Sequence, residues 1–201
     1  MIYSDIIYNK KIENIYEIGV LFPIKPLPGQ FVSLILSGEG EIPLSITDYY
    51  DRVLILHLSE KIYEKVKGRK RVIIKGPLGK PLRVKGRKIL GIAYKDLFYD
   101  ILYILREAKR EGRSVKVKCI ECNTNEFEKG DENNADTIIA AVPPEQITTL
   151  PSDALAYVRW VKMNCMLGVC GACKISDKLV CIDGPLLKVS DIVDKGKSMD
   201  K

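Results

Sequence analysis

The sequence predicts an all-β region, then a short α/β lobe, then a cysteine-rich C-terminal segment, and three observations carry that reading. Up to about Lys85, short β-rich runs alternate with turn residues. From Lys88 the rhythm changes to a strand, a helix and two further strands. Four of the six cysteines then fall between Cys165 and Cys181. A chain of 201 residues with 46% hydrophobic content has material for one large domain or two small ones. The boundaries are placed at 1–86, 87–152 and 153–201.

In the first region the β-rich runs are Ile12 to Phe22, Gln30 to Leu36, Arg52 to Leu58 and Arg71 to Lys75. Such short runs between turns suit a small antiparallel barrel. Pro26-Leu-Pro-Gly29 and Gly76-Pro-Leu-Gly79 supply turns, proline fixing φ and glycine permitting positive φ. In the second region Ile89 to Ala93 reads as a strand. Leu97, Phe98, Ile101, Leu102, Leu105 and Ala108 then share one face of a helix that stops at Gly112. Val115 to Ile120 and Thr137 to Val142 complete a β-α-β unit with one strand appended. The polar, acidic stretch Asn123 to Asn134 between them reads as an exposed loop.

The third region holds Cys165, Cys170, Cys173 and Cys181 at C-x4-C-x2-C-x7-C spacing. Plant-type 2Fe-2S ferredoxins open with the same C-x4-C-x2-C and close with a more distant fourth cysteine. Gly168, Gly171 and Ala172 lie among the ligands, where small side chains let backbone N–H groups turn toward cluster sulfurs and offset their charge. Structural zinc is the first alternative, although zinc favours two separate C-x2-4-C pairs and here three ligands crowd one loop. Disulfides or free thiols are the second. The N-terminus, Met1-Ile-Tyr-Ser-Asp, shows no basic segment leading into an apolar one, so the expected compartment is the cytoplasm, where disulfides are rare. His57 is the one histidine, which excludes a Rieske centre and a Cys2His2 finger.

Charge and hydropathy exclude other classes. The formal net charge of +6 comes partly from Lys65 to Arg71 and partly from Arg106 to Lys118, both mixed with apolar or acidic residues. That is a solvated basic face rather than the dense stripe with aromatic platforms that nucleic acid requires. Apolar runs such as Val53 to Leu56 and Thr137 to Val142 fall far short of the roughly 20 residues that span a bilayer, so no membrane span is expected.

Taken in order, Pro28-Gly-Gln-Phe-Val32, Gly76-Pro-Leu-Gly79, the α/β segment and the cysteine loop running into Asp183-Gly-Pro-Leu186 resemble the electron-transfer subunit of dihydroorotate dehydrogenase. The resemblance covers nearly the whole chain. That family belongs to the ferredoxin-reductase superfamily, whose members carry an FAD-binding barrel, an NAD-binding α/β lobe and, in this branch, a C-terminal 2Fe-2S loop. It implies a cluster on Cys165, Cys170, Cys173 and Cys181, relaying electrons from the FMN of a catalytic partner subunit that oxidises dihydroorotate to orotate in pyrimidine synthesis. It also implies a heterotetramer of two catalytic and two such subunits. Related sequences serve as FAD-containing NAD(P)H oxidoreductase subunits of hydrogenases and of NADPH:ferredoxin oxidoreductases, which is the alternative redox reading. A non-redox subunit holding zinc is the third.

The chain departs from the family pattern at both nucleotide sites. The flavin motif Arg-Pro-x-Ser-Ile is here Ile42-Pro-Leu-Ser-Ile46, and an aliphatic side chain cannot replace a guanidinium on the pyrophosphate. Where a Gly-Thr pair opens a helix under the phosphates, this chain has Ser59-Glu-Lys-Ile-Tyr-Glu-Lys65, with carboxylates that repel phosphate. Ser45 still matches a flavin-facing position, and a barrel serine bonded to backbone is its plainer reading. FAD is therefore in doubt. The glycine run of the nicotinamide site is reduced to Leu90-Gly-Ile-Ala-Tyr-Lys-Asp96, and the later Cys-Gly-Pro turn is Ala141-Val-Pro-Pro144. The lobe is expected to persist as a scaffold without NAD, leaving an acceptor other than NAD. Cys119-x2-Cys122 reads as packing or an incidental pair rather than a redox pair. Trp160 reads as core and His57 as structural.

Overall fold

The computed structural model describes residues 1–38, 40–122, 124–131 and 134–193. Its first region contains β1 (Ile2–Ile12), β2 (Ile15–Leu21), β3 (Phe31–Leu36), β4 (Gly40–Ser45), β5 (Asp48–Tyr50), β6 (Val53–Ser59), a short α1 (Glu60–Val66) and β7 (Arg71–Leu78). The strands form one seven-stranded sheet in the order β4-β3-β7-β1-β2-β6-β5, with every pair antiparallel. Strand periodicity places Val32, Leu34 and Leu36 of β3 with Leu54, Leu56 and Leu58 of β6 in a single apolar core. β4 comes back against β6, yet among the described residues no ladder joins the two edge strands. The expected barrel is thus a curled open sheet. β4 carries Pro43, which has no N–H to donate, and β5 is three residues long, so both are suited to an edge.

The second region begins with β8 (Lys88–Tyr94), a 3-10 turn (Lys95–Asp100), α2 (Leu102–Arg110), β9 (Ser114–Ile120), β10 (Glu128–Lys129) and β11 (Thr137–Ala141). The helical face expected from Leu97 onward is therefore split, with Ile101 between the two pieces. Then follow β12 (Leu155–Tyr157), β13 (Lys174–Ile175), β14 (Lys178–Leu179), α3 (Val180–Asp183), β15 (Leu186–Lys188) and α4 (Val189–Ile192). The sheet order is β10-β9-β8-β11-β12-β15. It is parallel throughout except where β15 runs antiparallel to β12. The C-terminal region is accordingly woven into the lobe: the cysteine loop is an excursion between two strands of its sheet.

Helix α2 joins the two sheets. Leu105 packs on β8 so tightly that a Cβ at Gly91 would stand 2.7 Å from its Cδ1. Tyr103 points the other way into the core of the first sheet, and its buried hydroxyl donates to the Pro26 carbonyl at 2.8 Å. Arg106 and Arg110 reach Asp48 of β5 at 3.1 and 2.8 Å. Two apolar cores are thereby held in fixed relation, and the functional elements lie along their junction. No helix is long and apolar enough to cross a membrane among the described residues.

Candidate functional site

The cysteine loop is anchored before it is shaped. Phe31 of β3, Val158, Met166, Val180 and Leu187 form a buried cluster that takes in Cys173 and Cys181. On the outer side, Lys75 of β7 donates to the Cys165 carbonyl at 2.9 Å and pairs with Glu41 of β4 at 3.0 Å. Below the loop, the end of β7 at Gly76 to Gly79, expected as a turn but strand through Leu78, meets the Asp183-to-Leu186 turn: the Lys80 amide donates to the Gly184 carbonyl at 2.7 Å. A Cβ on Gly79, whose φ is +79°, would stand 2.7 Å from that carbonyl oxygen, so this contact requires glycine. Two motifs distant in sequence thus form one seat.

Within the loop, Met166, Gly168 and Gly171 adopt positive φ, and this turns successive amides inward. The Leu167 and Cys170 amides donate to the Cys165 sulfur at 3.5 and 3.4 Å. With the Cys170 thiol and the Val169 amide they hold the Cys165 thiol down to about 6. Cys173 and Cys181 lie deeper, with their sulfurs 3.2 Å apart. Burial, then the neighbouring Cys173 thiol, pushes Cys181 up to about 11, while the Gly168 amide pulls the other way.

The four thiols thus stand as two pairs, Cys165 with Cys170 and Cys173 with Cys181. Among the described residues no single point gathers three or more Cys, His, Asp or Glu side chains. In a 2Fe-2S centre each iron takes two protein ligands, so two thiol pairs faced by amide donors have the ligand count and the donors of a dinuclear anionic group. Loading it requires the thiols to lose their protons, which Cys165 does more readily than the buried Cys181.

Beside the loop lies a cleft of about 280 Å³ between the two sheets, lined by Phe31, Leu44, Ser45, His57, Tyr99, Asp100, Tyr157, Val158, Arg159 and Met163. Most of its polar groups are partnered, although the buried His57 Nδ1 has no hydrogen-bond partner. Ser45 donates to Asp100 at 2.6 Å, and Arg159 pairs with the other carboxylate oxygen at 3.1 Å. Burial raises the Asp100 carboxyl above its ordinary range, with Arg159 and Ser45 opposing it. Behind the cleft, His57 Nε2 meets Glu17 at 2.9 Å and the ring stands edge-on to Tyr99. Burial raises the Glu17 carboxyl, but hydrogen bonds from His57, Lys10 and Tyr8 outweigh it and bring it to about 2.

These residues do not fit FAD. Ser45, the flavin-facing match, spends its hydroxyl on Asp100. Ile42 is half-buried against the core of the first sheet, and α1 opens on Glu60, a carboxylate in the first turn where a phosphate would approach. Nor does the lobe offer a dinucleotide cradle. β8 runs straight into the 3-10 turn, and its one glycine, Gly91, is spent on helix packing. Asp100, Arg159 and Lys75 escaped sequence reasoning, since each acts on a residue 55 or more positions away. Trp160 packs between the cysteine-bearing cluster and the apolar core on the other face of the lobe. Cys119 and Cys122, read as packing or an incidental pair, are joined as a disulfide.

The same architecture occurs in solved oxidoreductases. The chain superposes on the NADH-dependent reduced ferredoxin-NADP oxidoreductase with a TM-score of 0.70 at 18% identity, over 96% of this chain and 90% of that one. Phthalate dioxygenase reductase, which transfers electrons from pyridine nucleotides to [2Fe-2S], gives 0.57 at 14% identity over 80% and 69%. The ferredoxin reductase of carbazole 1,9a-dioxygenase, in its FAD apo form, gives 0.55 at 16% identity over 73% and 58%. The fold is therefore ferredoxin-reductase-like, an antiparallel flavin-domain-type sheet followed by an α/β lobe. No protein-family model matches the sequence, and no curated protein matches it.

Proposed function

We propose that the chain is the electron-transfer subunit of an oxidoreductase complex, with a 2Fe-2S cluster held by Cys165, Cys170, Cys173 and Cys181. The observation that carries this reading is the pairing of the four thiols, three from one turn and Cys181 from α3, with amides of the turn facing them. A cluster bound there supplies reversible one-electron transfer. Around it, the amides of residues 167 to 170 offset negative charge, Lys75 fixes the Cys165 end, and Phe31, Val158 and Met166 exclude water from the buried pair. Cys170 remains exposed, and Leu167, Val169 and Ile182 are about half or more exposed beside it, with Val169 at 84%. This apolar rim lies where an electron-donating partner must come close.

The partner we propose is an FMN-containing dihydroorotate dehydrogenase catalytic subunit, in a heterotetramer, with electrons leaving to an acceptor other than NAD. The order of Pro28-to-Val32, Gly76-to-Gly79, cysteine loop and Asp183-to-Leu186 supports it, and so does the contact between the last turn and the second. The test is to mix the anaerobically purified chain with such a catalytic subunit and add dihydroorotate. Bleaching of the chain's visible absorbance at a rate that saturates with the catalytic subunit is expected. Bleaching by NADH alone would favour the FAD-containing NAD(P)H oxidoreductase alternative, and a colourless zinc-loaded chain would overturn electron transfer altogether.

A further inference from the structure

Outside the cysteine loop, one group of reactive side chains has no role in the proposed relay. Cys119 is near the end of β9, the strand beside β8 in the lobe, and Cys122 follows three residues later. Glu121 between them takes a left-handed backbone, φ +56°, which reverses the chain. The two Cα atoms come to 5.7 Å, inside the span a disulfide bridges, and the sulfurs are joined. Cys119 stands opposite Ala93 near the C-terminal ends of the parallel strands, the edge where open α/β sheets present their reactive groups.

The pair is placed for exchange rather than for stapling. A bond between positions three apart closes a very short loop and removes little chain entropy, so its value as a structural cross-link is small. Both cysteines are half-buried against the core that contains Phe98 and Phe127, but the turn around them is open: Ile120 is 48% exposed. Lys95 pairs with Glu121 at 3.1 Å and so ties the turn to the end of β8. The Ile120 carbonyl lies 3.5 Å from Cys122 Sγ, within reach of the S–H that reduction of the bond would create. The other four cysteines lie together in the C-terminal loop, so the pair has no competing ligand duty.

We propose that Cys119 and Cys122 form a dithiol-disulfide exchange site, independent of the cysteine loop, whose co-reactant is a small dithiol or a dithiol protein. A thiolate of the co-reactant attacks one sulfur and the S–S bond breaks. The second thiol of the co-reactant then displaces the mixed disulfide. Two electrons and two protons pass to the chain, leaving two thiols on it and a disulfide on the co-reactant.

The test equilibrates the folded, cluster-loaded chain with dithiothreitol in a series of reduced-to-oxidised ratios, blocks free thiols with iodoacetamide and digests with trypsin. Cleavage after Lys118 and Lys129 yields a peptide holding Cys119 and Cys122 and no other cysteine. Its mass should switch between the disulfide and the doubly blocked form in one two-electron transition, complete without denaturant. Cys119→Ser and Cys122→Ser should each abolish the transition and leave iron content unchanged. Free thiols at every ratio would overturn the proposal. So would a disulfide reducible only after unfolding, zinc retained by the pair, or loss of iron in the two variants.

Discussion

The cysteine loop and the cleft share a wall, Phe31, Val158 and Met163, yet their polar groups are arranged in opposite ways. In the loop, amide donors are aimed at sulfurs with nothing else to bond. In the cleft, Ser45, Asp100 and Arg159 are spent on each other, and His57 Nε2 meets Glu17 while its Nδ1 is buried without a partner. Amide donors converging on thiols suit an anionic group, whereas the Ser45-Asp100-Arg159 network holds the two sheets together. On the proposed reading the loop suits an anionic group, while the cleft beside it is largely closed by its own side chains.

The strongest way to break that contrast is to remove a ligand. Cys181→Ser should abolish iron binding while the far-ultraviolet circular dichroism stays that of the parent, since the loop is an excursion from a sheet seated by other residues. On the cleft side, Glu17→Gln removes a carboxylate held at about 2 and tests scaffold rather than cofactor. Its folded value lies below its unfolded one, so its contribution is present above the ordinary carboxylate range and is lost as pH falls through about 2. The variant should be about 1–2 kcal/mol less stable at pH 7 once solvent screening is allowed for, the difference closing toward pH 2 in urea titrations, with iron content unchanged.

The same contrast explains what could be read from the amino acids. The four cysteines of the proposed cluster stand out in the sequence because their spacing is local: one loop supplies three of them and the fourth is eight residues on. β3, β6, β8, β9 and β11 were legible from their apolar runs. β1 was not, because Tyr3, Lys10 and Lys11 interrupt its pattern and its core-facing side includes the buried Ser4. β12 and β15 were hidden by their three-residue length, and they pair only after the cysteine loop intervenes. The Ser45-Asp100-Arg159 network and the Lys75 tie to Cys165 are long-range pairings, which no residue pattern announces.

Two smaller effects sharpen the comparison. Lys75→Met removes the tie to Cys165 and leaves Glu41 without its cation, which should cost about 2 kcal/mol. Because a positive charge near the ligands is lost, the midpoint potential of the reduced-oxidised couple should also fall, as an EPR-monitored titration would read. Asp100→Asn is expected to alter stability by about 1 kcal/mol or less at pH 7. Burial raises the Asp100 carboxyl in the folded chain, so parent stability declines as pH rises from the unfolded value through the folded one. The variant should lack that decline, seen as a flatter profile of urea midpoints against pH.

The most direct measurement is anaerobic purification followed by iron, acid-labile sulfide, zinc and released-flavin analysis on one sample, with EPR before and after dithionite. The account predicts two irons and two sulfides per chain, a rhombic signal that appears only on reduction, and no stoichiometric flavin. Zinc without iron would contradict the cluster, and one FAD per chain would contradict the reading of the cleft as scaffold.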